Sequence, residues 1–190
     1  MNATDLAYQL KADLAPACER IAIAGSIRRG KANPKDIEIV AIPFITQVTI
    51  VDMFGEKHGT YLENDLDERL GEIADVWPLD RQLPRNGPRY KRLRHTASGI
   101  CCDLFITSLE SWGVIYTIRT GPADFVTKLV TRALRLGMKV HNAQLWRVHR
   151  DGALSVVPTP EERQFFEALG LPYLEPAERT VKVLAQAVAR

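Results

Sequence analysis

The sequence predicts an α+β protein in two parts: a mixed sheet flanked by helices over residues 1–112, and a smaller α+β unit over residues 113–190. Three observations carry that prediction. Near the start, an apolar run at residues 21–24 meets a Gly25-Ser26 turn, and residues 35–41 then read as a second strand. Further on, two strand-like segments, residues 89–96 and 100–106, flank Ser98-Gly99 and read as a hairpin. After Ser108 the composition changes, and an amphipathic helix over residues 123–136 precedes a small antiparallel sheet over residues 139–157.

Taken in order, Thr4 is the expected cap of a first helix reaching residue 18 or 19, with Leu6, Leu10 and Leu14 as its apolar stripe and Pro16 disturbing its last turn. Residues 43–61 are β-branched and punctuated by glycine, and the pattern leaves them unassigned beyond some strand near residues 48–53. Leu62, Leu66, Leu70 and Ile73 predict a helix over residues 63–73, followed by a short edge strand at 75–79 and a loop at 84–88. In the second part, residues 111–119 are expected to be helical up to Thr120-Gly121-Pro122, where glycine suits a left-handed or close-contact position. Phe125, Leu129, Ala133 and Leu136 are expected to face inward, and Arg150-Asp151-Gly152 to turn the small sheet. Thr159-Pro160-Glu161-Glu162 reads as a capping box for a helix ending at Gly170, and residues 181–189 as a final helix.

The bulk properties are those of an ordinary globular protein, 46% hydrophobic and 25% charged over 190 residues. A net charge of +2 excludes a polycationic field, so any nucleic-acid contact has to be a local patch. Cys18, Cys101 and Cys102 form neither a CxxC nor an even framework and are expected to be reduced and structural. The four histidines have no metal-ligand spacing. With no signal peptide and no twenty-residue apolar run, a soluble, cytoplasmic protein without a membrane partner is expected.

The chemistry concentrates around Gly25-Ser26-Ile27-Arg28-Arg29-Gly30. Glycine there admits close backbone approach, a short helix from Ser26 would offer free N–H groups to an anion, and Arg28 or Arg29 could reach a phosphate. Asp36 and Glu38 lie two apart on the following strand, so both carboxylates are expected on one face. Asp103 interrupts the apolar run Ile100-Cys101-Cys102-Asp103-Leu104-Phe105-Ile106, an expensive place for a carboxylate unless it is paired or holds a metal. Arg89, Lys91, Arg92 and Arg94 on the neighbouring strand, with Lys128 and Arg132 on the later helix, are candidates for phosphate-tracking contacts with nucleic acid.

In this order the motifs resemble the nucleotidyltransferase signature, and the Arg28-Arg29-Gly30 wording is similar to that of family X DNA polymerases. The likeness extends through Asp103, Arg119-Thr120-Gly121, the helix from Phe125 to Gly137 and the final Pro176-Ala177-Glu178-Arg179. It implies a minimal palm (1–112) and thumb (113–190) that adds nucleotides from a dNTP to a DNA 3′ end; with so small a footprint, low processivity is expected, and the protein is expected to be a monomer. It further implies that Asp36, Glu38 and Asp103 hold two Mg²⁺ ions, with Mn²⁺ as a substitute. Ser26 and Arg29 would bind triphosphate oxygens beside the Gly25 backbone, and Gly121 would lie beneath the incoming sugar and base. Glu38 stands where the family usually has Asp, Lys35 where it has Gly, and Ile118-Arg119 where it has an aromatic pair. Two other readings stay open: the same transfer to an RNA, protein or small-molecule acceptor, and a DNA-binding module without catalysis.

Overall fold

The computed structural model of the chain describes residues 1–80 and 86–189; Pro84 and Arg85 of the expected loop lie outside that set. Helix α1 (Ala3–Leu14) starts two residues earlier than expected. Asn2 rather than Thr4 caps it, and Asp5 returns a bond to the Asn2 N–H, completing a capping box. Leu6, Leu10 and Leu14 are fully buried. Pro16 lacks the N–H to continue the helix, so the chain tightens into a 3₁₀ turn (Ala15–Ala17), and Cys18 opens strand β1 (Cys18–Ile23) instead of closing α1.

After the single turn α2 (Gly25–Arg28), strand β2 (Ile37–Pro43) pairs antiparallel with β1. Strands β3 (Ile45–Val51) and β4 (Lys57–Asn64) form a separate hairpin whose side chains are mostly exposed. With both faces near water, that hairpin shows no clean alternation, which is why the sequence leaves it unassigned. Helix α3 (Asp65–Glu72) begins at an Asn64 cap, and α3 ends in a turn where the Trp77 N–H meets the Ile73 carbonyl. The expected strand at 75–79 therefore reduces to one bridge, Leu79 to Leu93.

Strands β5 (Tyr90–Arg94) and β6 (Cys101–Ile106) complete a four-stranded mixed sheet of order β1-β2-β6-β5, with β2 and β6 parallel. Side-chain alternation divides its two faces. Ile37, Ile39, Ala41, Leu93, Cys102 and Leu104 pack on α1 and α3. Val40, Ile42 and Phe105 pack on Trp112 and Ile115 of α4 (Trp112–Thr120). Glu38 and Asp103 have the parity of Val40 and Phe105, so both acids rise from the α4 face. Asp36 precedes β2 in a bend, because the strand starts at Ile37 rather than Lys35.

The second part continues with α5 (Ala123–Arg135), the antiparallel sheet β7 (Met138–His141), β8 (Gln144–Val148) and β9 (Leu154–Val157), and helices α6 (Glu162–Ala168) and α7 (Val181–Val188). Phe125, Leu129 and Ala133 meet Met138, Leu145, Phe165 and Phe166 in its core. Leu136 is 43% exposed rather than inward, since α5 ends at Arg135 before the Gly137 turn. Glu161 with Gln164, not Thr159, caps α6; Thr159 is held by the Glu110 carbonyl. Helix α4 sits directly on this approach to α6, where a Cβ on Gly113 would lie 2.2 Å from the Glu161 carbonyl oxygen.

Candidate active site

Glu38 on β2 and Asp103 on β6 are register partners across the parallel pair, held at the sheet's α4 face. Gly25 packs against Glu38 as closely as a residue can. Its φ is +63°, and an added Cβ would stand 2.1 Å from the Glu38 Oε2 atom. Glycine is therefore required twice over, by backbone conformation and by space. Gly25→Ala is expected to destabilise the fold by about 1–3 kcal/mol and to displace the Glu38 carboxylate. Urea unfolding of the variant beside the parent checks this, and equal midpoints would refute it.

Burial raises the Glu38 carboxyl to about 7, with the charges of Asp36 and Asp103 adding to the effect and Arg119 and Arg29 opposing it. Asp103 accepts from the Tyr90 hydroxyl (2.6 Å) and from Arg92 through Nε (2.7 Å) and a terminal nitrogen (3.2 Å). That hydrogen bond lifts the Arg92 pKa above its ordinary value. The three acids share one end of the sheet but do not converge. Among the described residues, the ligand atoms that all come within 4.8 Å of one another belong to Asp52, Glu56 and His58. Those lie at the exposed β3–β4 tip, where Asp52 accepts the Phe54 and Glu56 N–H groups of its own turn.

The donor set of Asp36, Glu38 and Asp103 nevertheless fits a hard dication. All its donors are carboxylate oxygens, and their mutual repulsion, felt at Glu38, is what a bound dication would relieve. Ser26 adds a buried hydroxyl with no hydrogen-bond partner among the described residues.

The two arginines of the motif separate. Arg29 donates to the Thr120 carbonyl, next to Gly121, and stays beside the acids. Arg28 turns to the second part of the chain. Its guanidinium stacks 3.7 Å over the Tyr116 ring, donates to the Thr120 hydroxyl and forks onto Glu162 at 2.8 and 2.7 Å. Glu162 also accepts from Arg179 (2.8 Å), whose side chain is fully buried, and from the Thr117 and Tyr173 hydroxyls. Sequence reasoning missed this cluster because Glu162 looked like part of a cap. Its one local trace is the pair of arginines, of which a phosphate arm needs one.

Gly121 is extended (φ −72°) rather than left-handed, so its role is close contact; a Cβ there would lie 2.8 Å from Val126 and 2.9 Å from Phe125. Of the candidate nucleic-acid contacts, Arg89, Arg94 and Lys128 are exposed. Arg92 is engaged by Asp103, and Arg94 pairs with Asp80 at 2.9 Å. Lys91 projects from the opposite face to Asp67 of α3, and Arg132 donates to the Leu169 carbonyl at the end of α6. All three cysteines are free, as expected, and burial raises the Cys18 thiol to about 11. No helix among the described residues is long and apolar enough to cross a membrane.

Against known proteins, residues 116–180 match the DNA polymerase beta thumb family. DNA polymerase lambda of Rattus norvegicus is 33% identical over 177 residues, covering 82% of this chain and 28% of that protein. The chain thus spans little more than a quarter of the length of the curated relative it matches.

Proposed function

From the premise that the chain is family X DNA polymerase-like, in its thumb by family match and along most of its length by identity, we propose that it is a DNA polymerase-type nucleotidyltransferase. It adds a dNMP from a dNTP to a primer 3′-hydroxyl, filling short gaps with low processivity. The observation that carries this reading is the placement of Glu38 opposite Asp103, with Gly25 packed against Glu38 and the thumb-like part beginning at the adjoining helix.

Asp36, Glu38 and Asp103 would hold two Mg²⁺ ions, or Mn²⁺, which when bound polarise phosphoryl oxygens and lower the pKa of the primer hydroxyl. The residues supply the rest. Asp103, fixed by Tyr90 and Arg92, accepts the 3′-hydroxyl proton as its oxygen attacks the α-phosphorus; the α–β bridging bond breaks and pyrophosphate leaves. Ser26 offers its unpaired hydroxyl, and Arg29 its remaining N–H groups, to the β- and γ-phosphates. Gly121 would lie beneath the sugar and base, close against Val126 and Phe125, and Arg89 and Lys128 contact the DNA backbone.

The test is extension of a labelled primer on single-nucleotide-gapped DNA, with each dNTP and each NTP separately. Addition of one complementary deoxynucleotide is expected. Addition of any nucleotide would replace templated synthesis with untemplated transfer. No addition under any condition would remove DNA as the acceptor.

A further inference from the structure

Helix α7 carries polar side chains at only two of its positions, Lys182 and Gln186. A helix apolar almost all round belongs in a setting that covers it on every side, because an uncovered face leaves apolar surface in water. Here the fold covers one face alone. Leu184 is buried, and Val183 and Ala187 pack beside it on the core of the second part. Val181, Ala185 and Val188 line a groove of about 340 Å³ between α7 and α5, and Val188 is 47% exposed. With Leu184 at the floor, these residues recur at i, i+3, i+4 and i+7, the spacing with which one helix seats against another.

The opposite wall is α5, which brings Lys128, Arg132 and Arg135 to the groove. No carboxylate stands among the described residues that line it. Arg132 is fixed by the Leu169 carbonyl at 2.6 Å, while Lys128 and Arg135 are exposed. The groove opens away from the surface proposed for the nucleotide. Val126, which lies against Gly121, is about 180° around α5 from Arg135 and about 200° from Lys128. Helix α7 also lies beyond residues 116–180, the part that matches the thumb family.

We propose that this groove docks an acidic amphipathic helix of a partner protein. Its apolar stripe lies on Val181, Leu184, Ala185 and Val188, and its carboxylates meet the cations of α5. Charge decides the occupant. A second copy of the chain, offering the same surface across a two-fold axis, would set three cations against three cations. A nucleic acid would meet the cations but leave the valine and leucine floor uncovered. An acidic helix satisfies both parts of the groove. The proposal stands whether or not the chain extends a primer.

The test titrates the full chain with a designed, fluorescently labelled peptide of about 15–20 residues, long enough to hold a helix. It carries leucines at i, i+3, i+4 and i+7 with glutamates on either side, and a scrambled peptide of the same composition is run beside it. Saturable one-to-one binding is expected, at least about tenfold tighter than that of the scrambled peptide, and weaker as salt is raised. Ala185→Glu, at an exposed position in the groove, should weaken binding at least about tenfold by setting a carboxylate against the peptide's own. Arg135→Glu should weaken it by about three- to tenfold, the effect of a charge at the rim. Both variants leave Lys128, the proposed DNA contact, unchanged, and urea midpoints equal to the parent's show that they are folded. The proposal is overturned by equal binding of the scrambled peptide, by full affinity in either folded variant, or by the absence of saturable binding. It is also overturned if Ala185→Glu loses gapped-DNA binding as steeply as peptide binding, which would assign the groove to nucleic acid.

Discussion

Replacing Glu162 by Ala is expected to lower the unfolding free energy by about 3–5 kcal/mol. The substitution leaves two cations, Arg28 and Arg179, in a joint from which water is largely excluded; their side chains are 17% and 0% exposed. The loss is that of an uncompensated buried charge rather than the net worth of an ion pair, which is why it is so large. For a chain of this size it corresponds to a fall of roughly 6–20 °C in thermal midpoint. Glu162→Gln, which keeps acceptor and shape, should lose less. The same residue predicts a pH dependence. Desolvation would raise its pKa, but hydrogen bonds and charge from Arg28 and Arg179 outweigh it and hold the carboxyl below 4.5. A carboxyl lowered on folding stabilises the protein above its unfolded pKa, and that contribution disappears as pH falls below 4.5 through the folded value. Urea midpoints measured downward from pH 6 should therefore drop more steeply for the parent than for Glu162→Gln. Parallel curves would show that Glu162 is not held ionised by its partners.

Asp103→Ala is expected to reduce primer extension by roughly a thousandfold or more, the scale on which removing one charge-stabilising group at a reacting centre acts. The substitution removes the carboxylate proposed both as a dication ligand and as the proton acceptor, and it releases Tyr90 and Arg92 from their shared partner. Arg92 is the nearer hazard to interpretation, since a freed guanidinium could reach Glu38. Asp103→Ala combined with Arg92→Ala separates the cases: extension stays lost if the carboxylate itself is needed, and returns if the freed arginine was the inhibitor. Retention of activity in Asp103→Ala would refute the assignment of this carboxylate.

Both substitutions concern side chains whose setting is decided by pairs far apart in sequence, yet one was legible and the other was not. Asp103 announced itself because a charge inside Ile100-Cys101-Cys102-Asp103-Leu104-Phe105-Ile106 contradicts its own surroundings. Glu162 did not, because an acid near a helix start satisfies local rules whatever lies across from it. Lys91 and Arg92 show the same limit within one strand. The sequence made both phosphate-tracking candidates, but strand parity sends them to opposite faces, one to Asp67 and the other to Asp103.

What the sequence by itself determined was the set of features resting on energies exchanged within a few residues. These include the buried stripe of α1, the period-two faces of β2 and β6, the apolar face of α5 and the need for glycine at position 25. Helix and strand periodicity, capping and backbone sterics all act over that range. Only the tertiary structure decided that Asp36 stands before its strand, that Arg28 turns away from Arg29 to Glu162, and that Arg119 leans on Phe105 beside an open cavity. Each of those depends on which segments distant in sequence approach one another. The partners of Arg28 lie 92 and 134 residues away, and no local propensity carries information over such a distance.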